Sequence, residues 1–451
     1  MKSQAAIIIQ CAKSTPRLKY IVNHLTSSLG VTFQVNTVRS AGEIPSHQGP
    51  YLIHYGDSPV PEAFNVSSSG FLDETGIRVF EPTVFKNGNQ TMLFPAPDGF
   101  DLPFDIFSAV FFLLSRYEEY LPFKADRYGR FEANQSLAFR YDFLQEPVVD
   151  QWLEIFKFSL VMKFPGLSFP GKEFRYLSTF DIDSPWAYLH KGTVRTAAGL
   201  IKKVLELDMD ELRLRLAVLS KRKHDPYHVY DYIRQIEKQY GFTSLFFVLW
   251  GNYGRNDTNF ALNTPSFREL METLDSERTI GIHPSYRSYR SVSLLKKEFD
   301  SFFRLFGRKP EISRQHFLLM TFPETYRSLI RLGIREDYSM GYASCTGFRA
   351  GTSRPFRFYD LADEVETDLF IFPFVVMDVT LQQYLGLTPD KALERIENLV
   401  MKVKDVNGTF TSLWHNESLS DAGTWRGWKK VFESMVERVN RELGIDKITV
   451  K

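Results

Sequence analysis

The sequence predicts an α/β protein: a smaller α/β domain over residues 1–150, then a seven-stranded (β/α) barrel over residues 171–451. Three observations lead there. Strand-like and helix-like segments alternate along the chain. A stretch rich in proline and glycine, KFPGLSFPGKEF (163–174), reads as a linker. Beyond it come seven strand-like runs separated by helical periods, a count that suggests a parallel sheet closing into a barrel.

The elements follow in order. QAAIIIQCA (4–12) has a buried-strand pattern, RLKYIVNHLTSSLG (17–30) a helical one, and VTFQVNT (31–37) is strand-like again. YLIHYG and TMLFPAP add strands, and FDIFSAVFFLLSRYEEYL (104–121) is a strongly apolar helix. Glu118 and Glu119 beside Arg116 read as charges that cap or solvate its end. No glycine-rich fingerprint follows the first strand, which excludes a dinucleotide site there. Past the linker the seven runs are FRYLSTFDID, TSLFFVLW, TIGIHPSY, EISRQHF, GIREDYSMG, LFIFPFVVMD and GTFTSLWH. The segment from Pro185 to Asp225 exceeds what one crossover needs. It carries a basic helical piece, ELRLRLAVLSKRK, and reads as an insertion: a lid, a docking surface or a solvated helix face. GFRAGTSRPFRFYD (347–360) suits a loop over the barrel mouth, where Arg349 either binds substrate or is structural.

Composition narrows the function classes. The 55 basic and 54 acidic residues nearly cancel, so nucleic acid and anionic membrane are not expected as the main partner. Cys11 and Cys345 lie far apart with no metal-type spacing, which argues against a disulfide framework or a cysteine metal site. The N-terminal apolar stretch is too short for a signal peptide and no stretch is long enough to span a membrane, so a cytoplasmic protein is expected.

Polar residues gather at the C-terminal ends of the seven runs. Asp181 and Asp183 end the first, His283 the third, and Arg314 and His316 the fourth. Asp337, Asp378 and His415 end the fifth, sixth and seventh. In a parallel barrel these ends converge on one face. Strand side chains alternate, so Asp181 and Asp183 project together while Ile182 points away. Two adjacent carboxylates repel, and a cation beside them removes the penalty. One carboxylate with two imidazoles is a common ligand set for a catalytic divalent metal such as zinc, and the second carboxylate is then free to act as a base. Helix capping by Asp183 and Ser184 is the structural alternative for this motif alone.

From about residue 171 to 451 the chain resembles the polysaccharide deacetylases (family-four carbohydrate esterases), whose fold is a distorted seven-stranded (β/α) barrel. TFDID is similar to that family's early aspartate motif, which implies Asp181 as the base and Asp183 as a metal ligand. GIHPSYRS keeps the first histidine of the next motif, His283, and has Arg287 where the second would stand. In SRQHF, Arg314 matches the arginine that orients the base, and His316 is the candidate for the missing third ligand. Asp337 in REDYSMG best matches a later aspartate motif, and His415 in LWH matches the general acid. The first part of the chain resembles an uncharacterised α/β domain that precedes some deacetylase-like barrels. The resemblance implies a metal-dependent hydrolase, with zinc as the first choice, removing N- or O-acetyl groups from a carbohydrate. Two rivals remain. One is a non-catalytic carbohydrate-binding protein on a degenerate scaffold, stacking sugars on Trp186, Tyr286 and Trp414. The other is hydrolysis of a non-sugar amide at the same site.

Overall fold

The computed structural model describes residues 6–38, 50–260 and 262–444, so the first two residues of the run expected at 4–12 lie outside it. Four parallel strands open the chain: β1 (Ile7–Cys11), β2 (Phe33–Thr37), β3 (Leu52–Gly56) and β4 (Phe64–Ser67), in the order β2-β1-β3-β4. Helix α1 (Pro16–Leu29) joins the first two. Thr15 caps it by accepting from the Leu18 amide, Pro16 begins it, and Gly30 ends it at φ 72°. A hairpin of β5 (Val84–Asn87) and β6 (Gln90–Leu93) follows, then the buried α2 (Ile106–Leu114), a short α3 (Leu137–Arg140) and α4 (Val148–Lys163).

The apolar helix expected over 104–121 is shorter. It stops at Ser115, and Arg116 turns left-handed at φ 53° into a single turn, Tyr117–Tyr120. Glu119 does not solvate a helix end. It is buried, and it accepts from Arg116 Nε (2.8 Å) and from Arg349 Nε (2.9 Å), 230 positions away. The loop arginine Arg349 is therefore taken by this carboxylate and by the Gly341 carbonyl (2.9 Å), not by a ligand.

Beyond residue 174 runs a nine-stranded sheet. Its strands are β7 (Arg175–Ile182), β8 (Leu245–Leu249), β9 (Ile280–His283), β10 (Ile312–Ser313), β11 (Glu336–Asp337), β12 (Phe356–Asp360), β13 (Val365–Ile371), β14 (Val376–Met377) and β15 (Thr409–His415). The order is β12-β13-β11-β10-β9-β8-β7-β15-β14, with every pairing parallel except β12 on β13. Its helices are α5 (Thr193–Leu205), α6 (Met209–Leu219), α7 (Tyr230–Tyr240), α8 (Pro265–Glu277), α9 (Val292–Phe306), α10 (Glu324–Leu332), α11 (Pro389–Asp405) and α12 (Trp428–Leu443).

All seven expected runs contribute strands, but a closed seven-stranded barrel is not what the ladders of the described residues form. The sixth run explains the difference. Pro373 has no amide to donate, so LFIFPFVVMD splits into β13, which pairs with β11, and β14, which pairs with β15. Bonds from Phe372 N to Asp337 O (2.8 Å) and from Val375 N to Thr411 O (3.0 Å) mark the changeover, and no ladder joins β13 to β14. The β12 edge strand is the other addition.

One apolar core extends without a break from Ile7 of β1 to Val439 of α12. At the seam Arg17 pairs with Glu364 and Tyr20 donates to the Arg357 carbonyl (2.8 Å). His24 of α1 is buried there, and burial, with Arg354 and Lys172 nearby, pushes its imidazole down to about 3. The unfolded chain therefore takes up a proton near pH 6.5 that the folded chain refuses. Stability is full above that pH and falls on acidification by about 1.4 kcal/mol per pH unit until the folded value is reached. The stability difference between wild type and His24→Gln, read by denaturant unfolding between pH 6.5 and 5, is expected to carry this slope. An unchanged slope in the variant sinks the assignment.

Candidate active site

Strands β7, β9, β10 and β15 bring their C-terminal ends to one end of the sheet. Register places Asp181 of β7 beside His415 of β15 and Phe247 of β8, and His283 of β9 beside Leu249 of β8. Asp183 lies just past β7, and His316 begins a turn just past β10. All five line one cavity of about 410 Å³. A cavity of about 460 Å³ at the seam, lined by His24, Lys172 and Arg354, holds none of them.

Asp183 is the centre of the group. Its Oδ1 is 3.4 Å from His283 Nε2, and its Oδ2 is 3.5 Å from His316 Nε2 and 3.9 Å from His415 Nε2. One donor atom from each of Asp183, His283 and His316 fits within a 4.8 Å span. The far ring nitrogens are already engaged: His283 Nδ1 donates to the Arg314 carbonyl (2.5 Å) and His316 Nδ1 to Asp257 Oδ1 (3.1 Å). A carbonyl can only accept, so His283 Nδ1 carries a proton and Nε2 is the nitrogen turned toward Asp183. Asp183 Oδ1 is buried without a hydrogen-bond partner. Burial by itself would raise the Asp183 carboxyl, but His316, His283 and His415 outweigh it and hold it well below the usual carboxylate range. His316 moves the opposite way: burial would lower it, and Asp183 and Asp257 carry it up to about 9. These residues suit a divalent cation, with two imidazoles, one carboxylate and an orphaned buried oxygen aimed at one point.

Asp181 is held differently. Arg314, fully buried, donates from Nη1 to Asp181 Oδ1 (2.8 Å), from Nη2 to Thr179 Oγ1 (2.8 Å) and from Nε to the Tyr338 carbonyl (2.9 Å). The bonds to Thr179 and Tyr338 fix the guanidinium, and its Nη1 in turn orients that carboxylate. Its other oxygen lies 3.6 Å from His283 Nε2, inside the cavity. On the neighbouring strand β15, His415 Nδ1 donates to Asp378 Oδ1 (2.8 Å), and its amide donates to Asp378 Oδ2 (2.7 Å). Burial lowers this imidazole, but Asp378, then Asp183 and Asp181, raise it to about 10.

The structure thus brings together Asp181, Asp183, His283, Arg314, His316 and His415. Asp337 is not among them. It is fully buried among hydroxyls, accepting from Ser313 Oγ (2.8 Å), Ser339 Oγ (3.0 Å) and Ser339 N (3.0 Å), and it does not line the cavity. Its contacts tie the ends of β10 and β11 together, and the aspartate expected to be catalytic stands outside the cavity lining. Arg287 is exposed and lines another cavity, while His316 supplies the second imidazole. Trp414 is buried against Phe432 and Trp186 against Phe260, so neither presents a stacking face to the cavity, and Tyr286 edges Phe317.

Two contributions went unread in the sequence. Asp257, in the loop after β8, is fully buried and also accepts from the Tyr286 amide (2.7 Å). The signal was an acidic residue in a glycine- and asparagine-rich loop at a strand end, GNYGRNDTNF. The second is the stretch between α2 and α3, which lays Arg127, Tyr128 and Arg130 on the cavity wall. Arg130 pins it there through the Phe317 carbonyl (2.9 Å) and the Tyr384 hydroxyl (3.1 Å).

Residues 7–165 match the model of a family of unknown function (DUF7033). No curated protein matches the chain. Among solved structures, a presumptive polysaccharide deacetylase from Mycobacterium smegmatis is similar at 16% identity and a TM-score of 0.38, covering 61% of this chain and 86% of that one. The carbohydrate deacetylase Agd3 is similar at 8% identity and a TM-score of 0.35, covering 98% and 84%. A mutant of BA3943, a CE4 family pseudoenzyme with restored activity, is similar at 13% identity and a TM-score of 0.28, covering 60% and 64%. At these scores function has to be argued from the site's own chemistry. No helix of the described residues is long and apolar enough to cross a membrane.

Proposed function

We propose that the chain is a metal-dependent hydrolase that removes N- or O-acetyl groups from a carbohydrate. Residues 171–451 carry the chemistry in this reading, and residues 1–150 form an α/β domain that contributes to the cavity wall. The observation behind it is the Asp183 carboxylate, set between two imidazoles whose far nitrogens are fixed and left with an orphaned Oδ1, with a second carboxylate, Asp181, 3.6 Å from His283. The motif resemblance supplies the substrate class.

Asp183, His283 and His316 would hold the cation, with zinc favoured by a ligand set of two imidazoles and one carboxylate. The cation would supply Lewis acidity toward the acyl carbonyl and toward the attacking water. Asp181, oriented by Arg314, takes the proton from that water. His415 faces the site through Nε2 and, with Asp378 keeping it protonated, delivers a proton to the departing amine or alcohol. Arg314 and Asp378 position these two groups and do not touch substrate.

Acetate release from N- and O-acetylated oligosaccharides by zinc-loaded protein tests the reading. Asp181→Asn and His415→Ala are each expected to lower turnover by about 10²–10⁴ while bound metal stays near the wild-type level. Undiminished turnover in Asp181→Asn would remove it as the base. Loss of metal in His415→Ala would make that histidine a ligand. An amide-and-ester panel outside carbohydrates separates sugar deacetylation from general amide hydrolysis.

A further inference from the structure

The insertion after β7 folds as a helical hairpin, α5 and α6. Its inner side is fixed: Val218 of α6 packs on Ala187 and Tyr188, and the Arg215 guanidinium lies 4.8 Å over the Tyr188 ring. Its outer side is bare. No residue of α5 is buried. Val194, Ile201 and Leu205 recur at the helical period and are 80%, 60% and 78% exposed, and Leu207 in the following turn is 81% exposed. A helix that keeps an apolar stripe in water gains nothing from folding against its own domain, so the stripe calls for an external surface.

Charge indicates which surface, because this hairpin is basic although the whole chain is balanced. Between residues 191 and 223 basic side chains outnumber acidic ones roughly two to one. Lys221, Arg222 and Lys223, just past α6, are all exposed and form no ion pair among the described residues. A second copy's hairpin would cover the stripe but carry the same basic excess. An anionic lipid surface would instead meet both features, accepting apolar side chains below the headgroups and cations among them.

We propose that the α5–α6 hairpin docks the chain on an anionic lipid surface, with α5 lying in the interface, Val194, Ile201 and Leu205 inserted, and Lys221, Arg222 and Lys223 against the headgroups. At 13 residues α5 is too short to span a bilayer, so it lies on the surface and does not cross it. The hairpin leaves the sheet just after Asp181 and Asp183, and Arg195 stacks 4.4 Å over Tyr253 in the loop that carries Asp257. Docking would hold the cavity mouth beside the lipid. The inference does not depend on the reaction proposed above.

Flotation of the full chain with phosphatidylcholine vesicles, with and without phosphatidylglycerol, tests it. At least about tenfold more protein is expected to float with the anionic vesicles, falling as salt is raised. Ile201→Asp with Leu205→Asp, and separately serine at Lys221, Arg222 and Lys223, are each expected to abolish the gain without changing the circular dichroism spectrum. Equal flotation with both vesicles, none with either, or a gain that survives both variants overturns the assignment. A dimer in solution that Ile201→Asp dissociates also overturns it, because a second copy would then be the occupant.

Discussion

Purified protein reconstituted with zinc is expected to hold about one ion per chain, and Asp183→Asn, His283→Ala and His316→Ala are each expected to lose most of it. The reasoning is geometric. Removing any one of three donors that share a 4.8 Å span leaves two, and two donors hold a divalent ion poorly. Asp257→Asn should be intermediate. It keeps a hydrogen-bond partner for His316 Nδ1 but removes the negative charge behind it, and a change of this kind typically weakens affinity by about 10- to 100-fold. Arg287→Ala should leave metal content at the wild-type level, because that side chain is exposed and lines a different cavity. Elemental analysis with calorimetric zinc titration reads all five variants. Full occupancy in His316→Ala would mean that the third donor lies elsewhere. An Asp257→Asn variant that binds as tightly as the wild type would make that carboxylate purely structural.

The largest loss of stability is expected at Glu119. This carboxylate is buried between Arg116 of the N-terminal part and Arg349 of the C-terminal part. Glu119→Ala would leave both guanidinium groups buried without their shared partner, at a cost of about 3–5 kcal/mol. The exposed pair of Arg140 with Glu81 is the control, and Glu81→Ala should cost at most about 1 kcal/mol. Acid should act on the wild type in the same direction. Burial raises the Glu119 carboxyl, but Arg349 and Arg116 outweigh it and hold it below its ordinary value. A lowered carboxylate contributes stability that is complete above the unfolded value near 4.5 and is lost as pH falls through the folded one. Urea unfolding of wild type, Glu119→Ala and Glu81→Ala at pH 7 and pH 4 checks both statements. If Glu119→Ala costs no more than Glu81→Ala, the buried network does not hold the two parts of the chain together.

Much of the candidate site is legible in the sequence because it depends on local rules. Strand side chains alternate, so TFDID by itself commits Asp181 and Asp183 to one side of β7. Strand–helix repeats make a parallel sheet, and a parallel sheet gathers strand ends, which collects His283, His316 and His415 from runs far apart in sequence. Only the tertiary structure decides the rest, since it turns on which side chains meet across long separations. Asp337 ends a strand as Asp181 does, yet three bonds from Ser313 and Ser339 turn it away from the cavity. Glu119 looks like the charged end of a helix until packing places Arg349 against it. Asp257 and the Arg127–Arg130 stretch sit in loops, whose paths follow no period and are set by what they land on: His316 for one, Phe317 and Tyr384 for the other. Closure of the sheet fails for the same reason. The periodicity of LFIFPFVVMD marks a strand, but whether its two halves pair with one neighbour or two is decided by the missing amide of Pro373 and by the edges that β11 and β15 present.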